Sequence, residues 1–143
     1  MKTKLSYLVL FTLFICCKSD EVMPDCSTVF CVAPYVAINL VDNTTLENFV
    51  IQNNIPKESI LIYDSSQNQL DFSIFETTGI LHINKKKLQD TIEIKITSEL
   101  IATISYNTSN PRTNGCCDFG ELQDVIIENK TFKIDKNVIT IYL

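Results

Sequence analysis

With 143 residues and a net charge of −5, the chain is sized for one compact domain and is too acidic to favour a polyanionic partner such as nucleic acid. It has three glycines, no tryptophan and a wealth of Ile, Val, Thr, Phe and Tyr, the types that suit a pleated, half-buried surface, so the composition favours strands. The one basic run, Lys85-Lys86-Lys87, falls between the apolar stretches 80–83 and 92–96 and reads as a solvated turn.

Lys2 and Lys4 give a positive start, and residues 5–15 follow as a mostly apolar run. That run is too short to cross a bilayer core of about 30 Å, which takes about 20 residues, and it fits a signal peptide. The residues after it, Leu13-Phe14-Ile15-Cys16-Cys17-Lys18-Ser19-Asp20-Glu21, resemble the lipobox of bacterial lipoproteins. In that motif a small residue precedes the acylated cysteine and the residue three before it is usually Leu. Cys16 has Leu13 three back but bulky Ile15 beside it; Cys17 has the small Cys16 beside it and Phe14 three back. The small residue must fit next to the scissile bond, so Cys17 is the expected lipidation site. Lys18-Ser19-Asp20-Glu21 is further similar to the polar, acidic export signal of Bacteroidota surface lipoproteins. The resemblance implies a lipid anchor in the outer membrane, with the protein surface-exposed or periplasm-facing, and several acyl chains hold a membrane stably where one does not.

The expected organisation is a signal peptide at 1–16, a lipidated tether at 17–25 and a single β-rich domain at 26–143. Without the signal peptide the 12 basic residues lose Lys2 and Lys4 and face 17 acidic ones, for a net charge of −7. The polar stretch 18–25, which contains Pro24, spans on the order of 15 Å as a flexible coil, so the domain rides close to the membrane.

From Tyr35 onward, short apolar runs alternate with period 2 and are separated by turn residues. Val36, Ile38 and Leu40 open the series. Residues 46–51 fit either a turn of helix or, at Phe49-Val50-Ile51, a strand. Then come 59–63, the alternation of Leu70, Phe72 and Ile74, and 80–83. Thr91-Ile92-Glu93-Ile94-Lys95-Ile96-Thr97 is the clearest strand, with its isoleucines on one face and Glu93 and Lys95 on the other. The runs 100–106, 123–128, 131–134 and 138–143 complete the set. Asn53-Asn54, Ser65-Ser66-Gln67-Asn68, Asn129-Lys130 and Asp135-Lys136-Asn137 supply turn chemistry, and Asn129-Lys130 and Lys136-Asn137 read as tight hairpin turns. The expected fold is all-β: an antiparallel β-sandwich, immunoglobulin- or transthyretin-like, with a small β-barrel as the alternative.

After Cys17 the chain holds Cys26, Cys31, Cys116 and Cys117, an even number in an exported domain, which points to two disulfides. A bond between the neighbours Cys116 and Cys117 would close a strained eight-membered ring. Both remaining pairings tie the N-terminal segment to residues 116–117. Adjacent cysteines do not readily reach one tetrahedral ion together, so no metal site is expected.

The sequence carries no G-x-S-x-G, no Gly-rich phosphate loop and no H-E-x-x-H, and its one histidine, His82, lies opposite Leu81 and Ile83 on a strand. Neither an enzyme nor a cofactor is expected. Asn43-Thr44-Thr45, Asn107-Thr108-Ser109 and Asn129-Lys130-Thr131 match N-x-[ST], and Asp90-Thr91-Ile92 is similar to the O-glycosylation motif of Bacteroidota; both read as incidental. The stretch 107–120 shows no strand pattern, is long for a loop in a compact domain, and carries Arg112, the only arginine, and Phe119. These two are the expected contact residues of a membrane-anchored, non-catalytic binding or accessory domain. Its expected partner is an outer-membrane protein, and glycan binding is the alternative.

Overall fold

The period-2 runs become nine strands in the computed structural model, which describes residues 25–30, 34–84, 89–110, 116–118 and 120–143. They are β1 (Tyr35–Val41), β2 (Ile60–Tyr63), β3 (Phe72–Phe75), β4 (Ile80–Asn84), β5 (Gln89–Ile96), β6 (Glu99–Thr108), β7 (Leu122–Ile127), β8 (Thr131–Asp135) and β9 (Val138–Tyr142). One sheet has the order β3-β4-β1-β9-β8 and the other β2-β5-β6-β7. Alternate residues of each strand point to the space between the sheets, where Ile38, Leu40, Ile62, Leu81, Ile94, Ile104, Ile139 and Ile141 lose all contact with solvent. The chain is an all-β sandwich with open sheet edges and no closed barrel.

Within that class the strand order is not the ABED and CFG order of an immunoglobulin domain. The first strand sits inside its sheet, antiparallel to β4 on one edge and parallel to β9 on the other. That position explains why β1 is shielded on both faces. Ala37 lies beside His82 and Val138, and Val41 beside Tyr142, so these outward-facing side chains are nearly as buried as the core.

Several connections differ from the sequence expectation. Asn129-Lys130 does not close a hairpin: β7 belongs to the second sheet and β8 to the first, so the chain changes sheets there. Lys136-Asn137 does close one, with Asp135 opposite Val138. Leu70 does not join β3; its N–H donates to the Ile62 carbonyl at 2.8 Å, and the chain leaves the second sheet before β3 begins. Asn107 and Thr108 are the last residues of β6, paired with Gln123 and Leu122, so the irregular stretch is shorter than 107–120. The ambiguous segment forms one helical turn, α1 (Phe49–Gln52), because Asn48 caps it by accepting the Ile51 N–H. Residues 97–98 turn β5 into β6, with Thr97 and Ser98 both at positive φ, and the Thr97 N–H donates to the Ser59 carbonyl at 2.8 Å.

Strand directions divide the connections between two poles. Tyr35 is opposite Asn84, Ala37 is beside Val138, and Asn107 is opposite Gln123, so the N-terminal segment, residues 64–71, the end of β6, the start of β7 and the 136–137 turn share one pole. Residues 42–59, 76–79, 97–98 and 128–130 share the other. No helix among the described residues is long and apolar enough to cross a membrane.

Candidate functional site

The N-terminal pole is held by a covalent tie. Cys26 is joined to Cys116 across a sequence separation of 90 residues, with Cα atoms 5.4 Å apart. Cys117 is disulfide-bonded as well, to a partner outside the described residues. The ends of the irregular stretch are zipped beside the bridge: the Ser109 N–H donates to the Glu121 carbonyl and the Glu121 N–H to the Ser109 hydroxyl, both at 2.9 Å. Gly120 permits this, since its φ is +74° and a Cβ there would run into the Ser109 carbonyl. Cys17, Cys31, Arg112 and Phe119 lie outside the described residues.

On the adjoining part of the second sheet is a concavity of about 390 Å³, lined by Ser65, Asp90, Thr91, Ser105, Tyr106, Asn107, Asp124 and Ile126. Its floor is set by register. Thr91 and Ser105 are cross-strand partners, which brings their hydroxyls to 2.9 Å. Its outer wall is set by a bulge in β7, where three residues span the distance that two cover on β6. Asp124 takes a φ of 48° at this bulge and accepts a hydrogen bond from Asn107 Nδ2 at 3.2 Å. At the rim, Asp90 Oδ1 accepts the Ser65 hydroxyl at 2.8 Å and the Thr91 N–H at 2.9 Å. Beneath it Tyr106 is buried. Desolvation, and secondly the negative charge of Asp90, push its phenol up to about 12. Ile126, 63% exposed, is the large apolar group beside these polar ones.

The hydroxyls, amide and carboxylates of the concavity satisfy one another, and no imidazole or amine among the described residues stands beside Thr91 or Ser105 as a base. The arrangement offers hydrogen-bonding groups around one exposed apolar side chain, Ile126. His82 sits on the other sheet, stacked between two rings: Tyr35 at 4.7 Å with planes 6° apart, and Phe75 at 5.7 Å and 25°. It serves there as a flat spacer in a diagonal aromatic row. No cluster of three metal-binding side chains occurs among the described residues.

Sequence reasoning placed Thr91 on the clearest strand and Asp90-Thr91 in an incidental motif, and did not assemble the concavity. Ser65, Asp90, Ser105 and Asp124 are far apart in sequence, and strand register alone makes them neighbours. One signal was present: polar Thr91 and Ser105 both fall on the outward phase of strongly alternating strands. Compared with protein-family models, curated proteins and solved structures, the chain matches none of them.

Proposed function

We propose that this protein is a lipid-anchored accessory or binding domain of the outer membrane that contacts a partner protein and does no chemistry of its own. The observation that carries the reading is the Cys26–Cys116 disulfide, a kind of bond that forms and persists in oxidising compartments and so supports export. The lipobox-like run ending at Cys17 supports export and anchoring. Protein contact is supported by Ile126, set among hydrogen-bonding side chains on the edge strand of the second sheet, and Arg112 and Phe119 are the contact residues proposed from the sequence.

Mass spectrometry of the mature N-terminus, combined with cross-linking in intact membranes, tests this. The expected result is an acylated Cys17 and one defined outer-membrane protein captured. Replacing Arg112 and Phe119 with alanine is expected to abolish capture while leaving the melting temperature nearly unchanged. An unmodified Cys17 would remove the anchor, and capture retained by the double variant would remove those residues from the contact. The glycan-binding alternative rests on the exposed Tyr35-His82-Phe75 row, because sugars pack on aromatic rings. A rise in melting temperature with a soluble glycan would favour it.

A further inference from the structure

The most exposed large apolar side chain among the described residues is Phe30, wholly open to solvent at 101%, and its neighbour Val29 is 45% exposed. Neither hangs on a free tail. Five residues before Phe30 the Asp25 carboxylate accepts the Ser27 N–H at 3.0 Å, the Val29 N–H donates to the Cys26 carbonyl at 3.2 Å, and Cys26 is bonded to Cys116. A turn tied in this way holds two adjacent apolar side chains, Val29 and Phe30, out into water together.

The described structure begins at Asp25, eight residues after Cys17. Those eight residues span on the order of 15 Å as a coil and no more than about 28 Å when fully extended. The fixed turn is therefore within reach of the surface that would hold the lipid. We infer that Val29 and Phe30 form a membrane-contacting element, with the Phe30 ring seated in the interfacial zone of the bilayer so that the N-terminal pole faces the lipid. The inference rests on the proposed lipid anchor, and it goes beyond it by fixing how the domain stands on the membrane. A single aromatic residue does not recruit a protein from solution, but a short tether makes its insertion intramolecular, and a weak contact then suffices to set orientation. Asp25, the charged residue of the turn, is acidic, so the contact is hydrophobic rather than electrostatic and anionic lipid is not required.

The chain has no tryptophan, which allows a single-reporter experiment. Phe30→Trp probes the turn, and Leu100→Trp, at a 54% exposed site on the opposite pole, serves as the control. Each variant is purified from membranes as the mature protein, its N-terminal mass is measured, and it is reconstituted in phosphatidylcholine vesicles with and without brominated acyl chains. The expected result is blue-shifted emission for Phe30→Trp, quenched at least twofold by brominated lipid, with water-like, unquenched emission for Leu100→Trp. Water-like emission from an acylated Phe30→Trp protein would overturn the inference and leave the anchor standing. Blue-shifted but unquenched emission would also overturn it, by placing the residue against protein, a second copy included. A mature N-terminus without acyl chains would overturn the anchor and the inference together.

Discussion

The two poles of the sandwich differ in what their side chains tie together. At the pole away from the N-terminus the side-chain ties join near neighbours, and the distant ties are backbone ones such as Thr97 N–H to the Ser59 carbonyl. Asp42 accepts the N–H groups of Thr44 and Thr45, which holds its carboxyl below the usual range, and Asn48 caps α1 and donates to the Asn39 side chain at 2.8 Å. The N-terminal pole has local turns too, at Asp25 and Asp64, but adds long side-chain and covalent ties: Cys26 to Cys116, Ser65 to Asp90, Ser109 to Glu121. Short-range ties form wherever the local residues are right. Long-range ties form only once the sheets have brought their ends together, so this pole depends on the whole fold and on oxidation. It is also the pole that carries the exposed turn and the concavity.

The largest expected effect comes from cutting the long covalent tie. Cys26→Ser with Cys116→Ser is expected to lower unfolding stability by about 2–4 kcal/mol, the usual range for a bridge closing a long loop. Hydrogen exchange should show the loss of protection concentrated at Thr108 and Leu122, with the Asp42 turn little changed. Equal loosening of both poles would mean that they are not separable.

A smaller loss is expected at the other pole from Asn48→Ala. The substitution removes the cap on the Ile51 N–H and leaves the half-buried Asn39 amide without that partner, which together cost about 1–2 kcal/mol. Urea melts should show a lower midpoint with an unchanged slope. In this variant the disulfide pole should keep its exchange protection.

A third effect is absent at neutral pH and appears only in alkali. An unfolded tyrosine titrates near pH 10, whereas the fold pushes Tyr106 up to about 12, so the native state holds the proton more tightly. Stability from this group is therefore full below about pH 10 and is lost as pH rises from about 10 toward 12. Urea midpoints measured through that window should fall, and Tyr106→Phe should flatten the fall. An unchanged pH dependence in Tyr106→Phe would show that another group is responsible.

The alternation of the apolar residues was enough to place the nine strands, because a strand with one buried face must repeat every second residue. Ile92, Ile94 and Ile96 fall on the core face, and Glu93 and Lys95 on the other, as the pattern required. The alternation does not state which sheet a strand joins. Asn129-Lys130 has the composition of a hairpin turn yet carries the chain from one sheet to the other, since β7 finds its partner in β6 and β8 in β9. The residues 46–51 were compatible with two local structures, and the choice fell to Asn48, whose side chain caps one of them. The parallel contact of β1 with β9, the joining of Cys26 to Cys116 rather than Cys117, and the concavity around Thr91 and Ser105 were decided by tertiary structure alone. Each depends on register between segments far apart in the chain, and register is settled by the packing of two whole sheets rather than by any local run of residues.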